Sequence, residues 1–443
     1  MSDVNKPLLG IFVFLLLALT TQFLRQVCQL MGMPDVLSLV REPLLLLLFL
    51  WGCLHLEYFQ EKRVAVCSVG IVTVLCIYLL VAAFEGRMLE GAYYVRLYVM
   101  PLLFFIGCHV ALQRCDEQQL QRVVRGQAWL NLVLVGAAFG LYALVQVEPR
   151  WRGILINDGK LATAWFIAGG MYMRMGLPFI SPNNLGTYAA LSALLSALIL
   201  FAARVGSGTR RLQWLSLLFS LAALAASLSR SAMLLLIFAF LCFLTIPAFY
   251  QSRMFGRLIG YAFALAIFVI LGLIVVEFIS DGYFSHWVEL NMAGKDPSLR
   301  GHIETFVEAW RDVDRYFLLG YPHGTVGPKA FQFTGHVHNA ENSLLALIYD
   351  FGLPAAMTFV LLQLLLLSGV WHSRLQLPAL VGFAINMQFL PIIFEPESIA
   401  FFLFVFLLLG HMARAGLFSH RQTDARAAAR PAFEIDGRVP LRG

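Results

Sequence analysis

Two histidines, His336 and His338, open the segment GHVHNAENSLLALIYDFG at residues 335–352. An imidazole of ordinary pKa, about 6.5, can take a proton from a hydroxyl near neutrality, so His338 is a candidate general base. Asn339, Glu341 and Asn342 follow it and offer amide and carboxylate groups to a substrate. His338, Glu341, Asn342 and Leu345 are expected on one face of a helix that starts here and runs into a membrane. Polar groups at the mouth of a span line a cavity rather than face lipid. The plainer reading is a His-Asn helix cap with loop histidines. A zinc site at His336 and His338 is a further reading, though it lacks a clear third ligand.

Arginines supply the complementary chemistry. Arg230 stands in SLSRSAML at 227–234, among the hydroxyls of Ser227, Ser229 and Ser231. An isolated arginine here would snorkel to the membrane surface, but hydroxyl neighbours suit an oxyanion better than a lipid-facing anchor. Arg174 heads RMGLPFISPNNLGT, where Pro182, Asn183 and Asn184 read as a turn before a span. Arg300 precedes a helical pattern over 298–318, with Ile303, Phe306, Val307, Trp310 and Val313 at i, i+3, i+4 spacing. That pattern fits an amphipathic helix on the membrane surface, which could be only a solvated interfacial helix. The turn Gly320-Tyr321-Pro322-His323-Gly324 follows and lets backbone approach a ligand closely. A guanidinium fork matches a pair of phosphate oxygens, so several arginines at one membrane face point to a lipid phosphate or pyrophosphate.

The elements that must position these residues are membrane helices. The 443 residues are 60% hydrophobic and 13% charged, with a mean hydropathy of +0.76. Soluble domains are more polar than this. Long apolar runs without alternation favour helices over a barrel. Candidate spans are 7–24, 43–59, 64–83, 97–113, 128–147, 184–203, 213–229, 231–249, 258–279, 341–368, 378–394 and 398–415. This is an all-α polytopic protein of about twelve transmembrane helices. Lys6 and the apolar stretch after it imitate a signal peptide, but no small-x-small site follows, so it reads as a retained first helix.

Short basic loops at 61–63, 114–125, 204–211, 253–257 and 374, with the tail after Arg414, form one alternating set and are expected in the cytoplasm. Both termini then lie inside. The other face carries two long loops, 148–183 and 280–340. Residues 1–415 form the transmembrane domain, and 416–443 a flexible cytoplasmic tail rich in Arg, Ala and Pro. A net charge of +6 reflects these basic loops rather than nucleic acid. None of the seven cysteines falls in a long loop, and no CxxC occurs, which speaks against a disulfide framework or cysteine zinc site.

Taken in order, these segments resemble the O-antigen ligase and O-antigen (exopolysaccharide) polymerase superfamily of bacterial inner-membrane glycosyltransferases. The likeness rests on Arg174, Gly176, Pro182 and Asn183; on Ser229–Ala232; on the stretch from Arg300 to Gly324; and on His338-Asn339 followed by Leu344-Leu345 and Asp350-Phe351-Gly352. It covers about residues 60–415. Asp350 stands where Glu is more usual, His336 is extra, and the tryptophan common soon after the loop arginine is displaced to Trp310. The resemblance implies a GT-C-like fold with amphipathic helices in a large periplasmic loop. It implies a metal-independent, inverting enzyme without a cofactor, which moves a glycan from undecaprenyl pyrophosphate to a hydroxyl.

By that resemblance, His338 is the base or acceptor-orienting group, Arg230 and Arg300 hold the pyrophosphate, and Arg174 helps hold donor or glycan. Asn183, Asn339, Glu341 and Asn342 are expected to bind substrate. The implied partners are the lipid-linked donor, a glycan or lipid A–core acceptor, membrane lipid, and polysaccharide export or chain-length proteins. Loop 148–183 holds four basic residues against two acidic, and loop 280–340 five against seven. A positive loop attracts an anionic glycan, which leans toward a polymerase over a ligase. A twelve-span transporter or flippase is the reading from another class. It places its site near the bilayer midplane, whereas the polar clusters here sit in outer loops. A membrane scaffold would not need these ordered motifs.

Overall fold

The computed structural model describes residues 5–33, 36–55, 62–148, 166–167, 172–245, 304–305, 307–308, 311, 313–327, 329–335, 338, 340 and 342–418. Described helices are α1 (Asn5–Leu19), α2 (Thr21–Leu30), α3 (Val36–Leu54), α4 (Lys62–Phe84), α5 (Met88–Gln113) and α6 (Glu117–Val147). After a two-stranded antiparallel ribbon, β1 (Phe166–Ile167) with β2 (Tyr172–Met173), come α7 (Pro182–Ala202), α8 (Ser207–Ser227) and α9 (Arg230–Leu244). Short helices α10 (Val313–Tyr316) and α11 (Ala330–Thr334) lead to α12 (Ser343–Phe351), α13 (Leu353–Gly369), α14 (Leu377–Phe389) and α15 (Pro396–Arg414). The ribbon is the one departure from the all-helical expectation among the described residues.

By length and composition, five helices can cross a membrane: α4, α5, α6, α7 and α15. They become six when α1 and the helix after it, bent by 69°, count as one span. The architecture is that of an α-helical membrane protein. Helix α15 forms the centre, buried from Ala400 to Met412. Leu46, Leu47, Leu50, Leu54, Val66 and Val69 instead point outward from α3 and α4, as lipid-facing positions do.

Between helices the contacts are small or polar. Asn131 on α6 donates to Ser216 Oγ at 2.8 Å and Ser220 Oγ at 2.9 Å on α8. Asn386 on α14 donates to Thr187 on α7 at 2.8 Å. Such bonds contribute about 0.6 kcal/mol each in lipid but fix helix register.

The bundle sorts its connections to two ends. At one, Arg204 N–H donates to Leu417 O at 2.7 Å and Ala203 pairs with Phe418. A cleft lined by Lys6, Trp51, His55 and Arg114 opens at that basic end too. At the other end lie Arg41, residues 85–96, 174–183, 227–230, 316–327 and 388–397, with His338 and Asn342.

Several boundaries differ from the sequence reading. α5 and α6 start at Met88 and Glu117 instead of 97 and 128. The polar first turn of α6 is helical because Asp116 and Gln119 form a reciprocal capping box with bonds of 2.7 and 2.9 Å. Asn183 and Asn184 are not a turn but the first turn of α7, capped by Ser181 with Pro182 pre-set for the start. The spacing of the two spans predicts a tight turn at Ser229 and Arg230; the turn falls instead at Leu228, whose φ is +50°, and Arg230 begins α9.

The single span expected over 341–368 is two helices. Gly352, at φ +76°, breaks it, and Leu353 N–H donates instead to Phe317 O at 2.8 Å. A Cβ at Gly352 would press on the Leu318 carbonyl, so both the angle and the space require glycine. The span at 258–279 and the tail beyond Phe418 lie outside the described residues.

Gly352→Ala is expected to destabilise the fold by roughly 1–3 kcal/mol, the scale of a non-glycine residue held in a disfavoured backbone region. Gly136→Ala on α6, where an added methyl meets nothing within 4 Å, is the control. Thermal unfolding in detergent compares the two, and equal melting temperatures would contradict this account.

Candidate functional site

Arg174 is the organising cation. It leaves the ribbon strand β2 just before Met175, whose N–H donates to Ala226 O at 3.0 Å. Its Nε donates to Ser227 O at 2.8 Å and its Nη2 to Asn183 Oδ1 at 2.7 Å. One guanidinium therefore ties the loop to the start of α7 and the end of α8. The left-handed Leu228 then turns the chain so that Ser229 and Arg230 return beside Arg174. Ser229 N–H donates to Ser227 Oγ at 3.3 Å. Gly186 permits this approach: a Cβ there would stand 2.6 Å from Ser229 Cβ and 2.9 Å from Ser227 Oγ.

Two like charges thus share one corner. Burial first, then the Arg230 charge, push the Arg174 guanidinium down to about 10. It remains cationic near neutrality. Arg230 itself is exposed and can reach a ligand.

His338 arrives at the same end on an extended segment, not on a helix. Its N–H donates to Thr325 O at 2.8 Å, and it pairs with Val326 in a parallel bridge. Its ring stacks on Tyr321, with centroids 3.6 Å apart and planes 8° from parallel. The stack fixes the imidazole plane. Tyr321 in turn sends its N–H to Tyr349 O at 2.6 Å. Next to Tyr349, Asp350 is buried and accepts from Tyr78 OH at 2.8 Å and Tyr98 OH at 2.5 Å. Glu85 Oε2 accepts from His323 N–H at 3.0 Å, and Arg87 donates to His323 O at 2.8 Å. These contacts clamp the strap from 320 to 327 onto α4 and α5.

A third strand of connections links the two regions. Asn184 Nδ2 donates to Glu395 Oε2 at 2.7 Å. Phe394, beside Glu395, packs on Tyr94 and Tyr98. Gly327, next to Val326, comes so close to both rings that a Cβ would stand 2.9 Å from Tyr94 and 3.1 Å from Phe394. Glu395, in the connector before α15, keeps part of its surface open. Burial of its carboxyl first, then Glu397, push it up to about 8. Near pH 7 it is therefore mostly neutral and adds little negative charge beside the arginine corner.

Arg174, Asn183 and Arg230 come together, and His338 lies at the same end. The helix expected to begin at His338 begins instead at Ser343, because Asn342 is its N-cap. Asn342 Oδ1 accepts from Leu345 N–H at 2.9 Å, and its Nδ2 donates to Gln388 O at 2.9 Å. The proposed common face for His338, Asn342 and Leu345 is thereby lost. Arg300, Asn339, Glu341 and His336 lie outside the described residues. Of the helix expected over 298–318, residues 304–305, 307–308, 311 and 313–316 are described and helical.

Sequence reasoning missed Tyr321 as a ring partner and Glu395 altogether. Two carboxylates flanking a proline at the head of an apolar helix, Glu395-Pro396-Glu397, were the available signal. The cleft at the opposite end does not compete for the chemistry: His55 Nδ1 already donates to Trp51 O at 2.9 Å, and Arg114 lies over the Trp51 ring. Compared with known proteins, the chain matches no family model and no curated protein.

Glu395 yields a signed pH prediction. Its folded pKa lies above the ordinary carboxylate value, so the folded state holds the proton more tightly. Its stabilising contribution is complete below the ordinary value of 4.5 and is lost as pH rises through about 8. The dependence of melting temperature on pH across this window should flatten in Glu395→Gln. An unchanged slope in that variant would remove Glu395 as the cause.

Proposed function

We propose that this chain is an inner-membrane glycosyltransferase that moves a glycan from undecaprenyl pyrophosphate to an acceptor hydroxyl at the periplasmic face. The observation that carries this reading is that Arg174 and Arg230, near enough for one charge to act on the other, lie at the same end of the bundle as His338. Two guanidinium groups at one membrane face suit a diphosphate. The GT-C-like arrangement of twelve spans, with both termini in the cytoplasm, belongs to the same proposal. The sorting of the described loops to two ends supports it.

The chemistry needs few groups. His338 accepts the proton of the acceptor hydroxyl as its oxygen attacks the anomeric carbon. The bond from that carbon to the pyrophosphate oxygen breaks, and the configuration inverts. The departing diphosphate already carries its charge well, and Arg174 and Arg230 stabilise it as negative charge grows. Arg300 joins them in this reading. Polymerisation of O-antigen or exopolysaccharide repeat units is favoured, because the positive loop 148–183 can retain a growing anionic glycan. With lipid A–core as acceptor, the same step is the ligase reaction.

His338→Ala should lower turnover about 10²–10⁴-fold, the usual contribution of a general base. Arg230→Ala should lower it about 10²–10³-fold, the scale of a lost charge-stabilising donor. Neither should reduce the amount of protein in the membrane. The protein is reconstituted with undecaprenyl-pyrophosphate oligosaccharide, with and without lipid A–core, and products are separated by size. Chain extension identifies a polymerase, and transfer to core identifies a ligase. Wild-type activity in His338→Ala would sink the assignment of the base.

A further inference from the structure

The same end of the bundle carries a second group of cations, separate from the Arg174 corner. Arg41 lies near the start of α3, Arg96 in the first half of α5, and Lys329 just before α11. Arg96 sits over the Tyr93 ring at 5.1 Å and Lys329 at 5.4 Å. Arg41 is held by a bond from its Nη1 to Thr21 Oγ1 at 3.2 Å, and its side chain is 12% exposed. Three elements distant in sequence thus bring their positive charges to one place. Among the described residues, Glu42 and Glu397 are acidic groups that face them.

These acids do not saturate the cations. Glu42 Oε1 accepts from Arg96 Nη1 at 2.8 Å, but it lies 3.9 Å from Arg41 Nη2. Among the described residues, Nε of Arg41 and Nε of Arg96 are both buried without a hydrogen-bond partner. Leaving such donors unpaired in a poorly solvated setting is costly. An oxyanion reaching either fork would pair these donors, with Lys329 adding a mobile point charge.

The cluster also lies beside the proposed transfer site. Lys329 follows closely on Val326, the bridge partner of His338. Tyr93 packs against Tyr94 at 5.3 Å, and Tyr94 against Phe394 at 5.8 Å, next to Glu395. These contacts connect the segment that holds His338 to the group of Arg41, Arg96 and Lys329.

We propose that Arg41, Arg96 and Lys329 form a second oxyanion subsite, which takes the phosphate or diphosphate headgroup of the lipid that carries the acceptor. This deepens, and rests on, the reading of the chain as a transferase between lipid-linked substrates. A reaction joining two membrane-anchored molecules must hold both near one base. The two headgroups repel, so each needs its own cations.

The test uses the full chain in nanodiscs of zwitterionic lipid, titrated with undecaprenyl pyrophosphate and counted by native mass spectrometry. Two lipids are expected on the wild type, and inorganic pyrophosphate should displace both. Arg96→Gln with Lys329→Gln should leave one. Lys329→Gln alone, a milder change at a loop position, should weaken the second lipid about tenfold, the loss of one charge-assisted contact. In the transfer assay these variants should raise acceptor KM and leave donor KM unchanged.

Two bound lipids on folded variants, or a rise in donor KM alone, would overturn the subsite. A second lipid that saturating pyrophosphate cannot displace would also overturn it, since tail binding would then explain it. If two lipids fall to one but the wild type transfers no glycan, the subsite stands and the enzymatic reading falls. If transfer proceeds and acceptor KM does not move, the reverse holds.

Discussion

The buried guanidinium of Arg174 is the interaction on which the site end of the molecule depends. A desolvated cation is tolerated when its donors find acceptors, and here Nε meets Ser227 O and Nη2 meets Asn183 Oδ1. Those two acceptors belong to different helices, so satisfying one side chain fixes the relative height of α7 and α8. The glycine at 186 and the left-handed Leu228 follow from that fixed height. Without them, Ser229 and Arg230 could not return to the same corner. The Arg230 charge then acts on Arg174 and adds to the effect of its burial.

The second constraint is the break at Gly352. In lipid, a backbone group released from a helix must find another partner. Leu353 N–H finds Phe317 O, and Tyr349 O receives Tyr321 N–H. The strap from 316 to 327 is therefore bound to the break, and Asp350 locks it by accepting two tyrosine hydroxyls. His338 inherits its place from this arrangement, through Tyr321 on one side and Thr325 on the other. The catalytic reading thus relies on a rigid strap rather than on a helix face, which suits a group that must keep its ring plane while substrates exchange.

Much of the framework was legible in advance. Apolar runs of span length located α4, α7 and α15 within a few residues, because burial in lipid leaves few alternatives to a helix. Arg174 and Asn183 were picked out by residue type and do meet. The start of the helix after His338 was misread because Asn342 caps it. A cap is a local hydrogen bond that an apolar periodicity does not report. The split of 341–368 went unseen for a related reason: Gly352 reads as one tolerated glycine in an apolar run, and only the chain packed beside it reveals its positive φ.

Sequence alone determined the membrane class, the polar segments and the residue types able to handle an oxyanion and a proton. These depend on side-chain chemistry and on short-range periodicity, both properties of a chain read in order. Tertiary structure decided which of those groups meet. Glu395 gains its raised proton affinity from burial and from Glu397, against the opposing bond from Asn184, 211 residues away. Tyr321 faces His338, and Arg41 joins Arg96, only because distant helices dock at one height. Desolvation and charge proximity are set by that docking, and they cannot be read from neighbours along the chain.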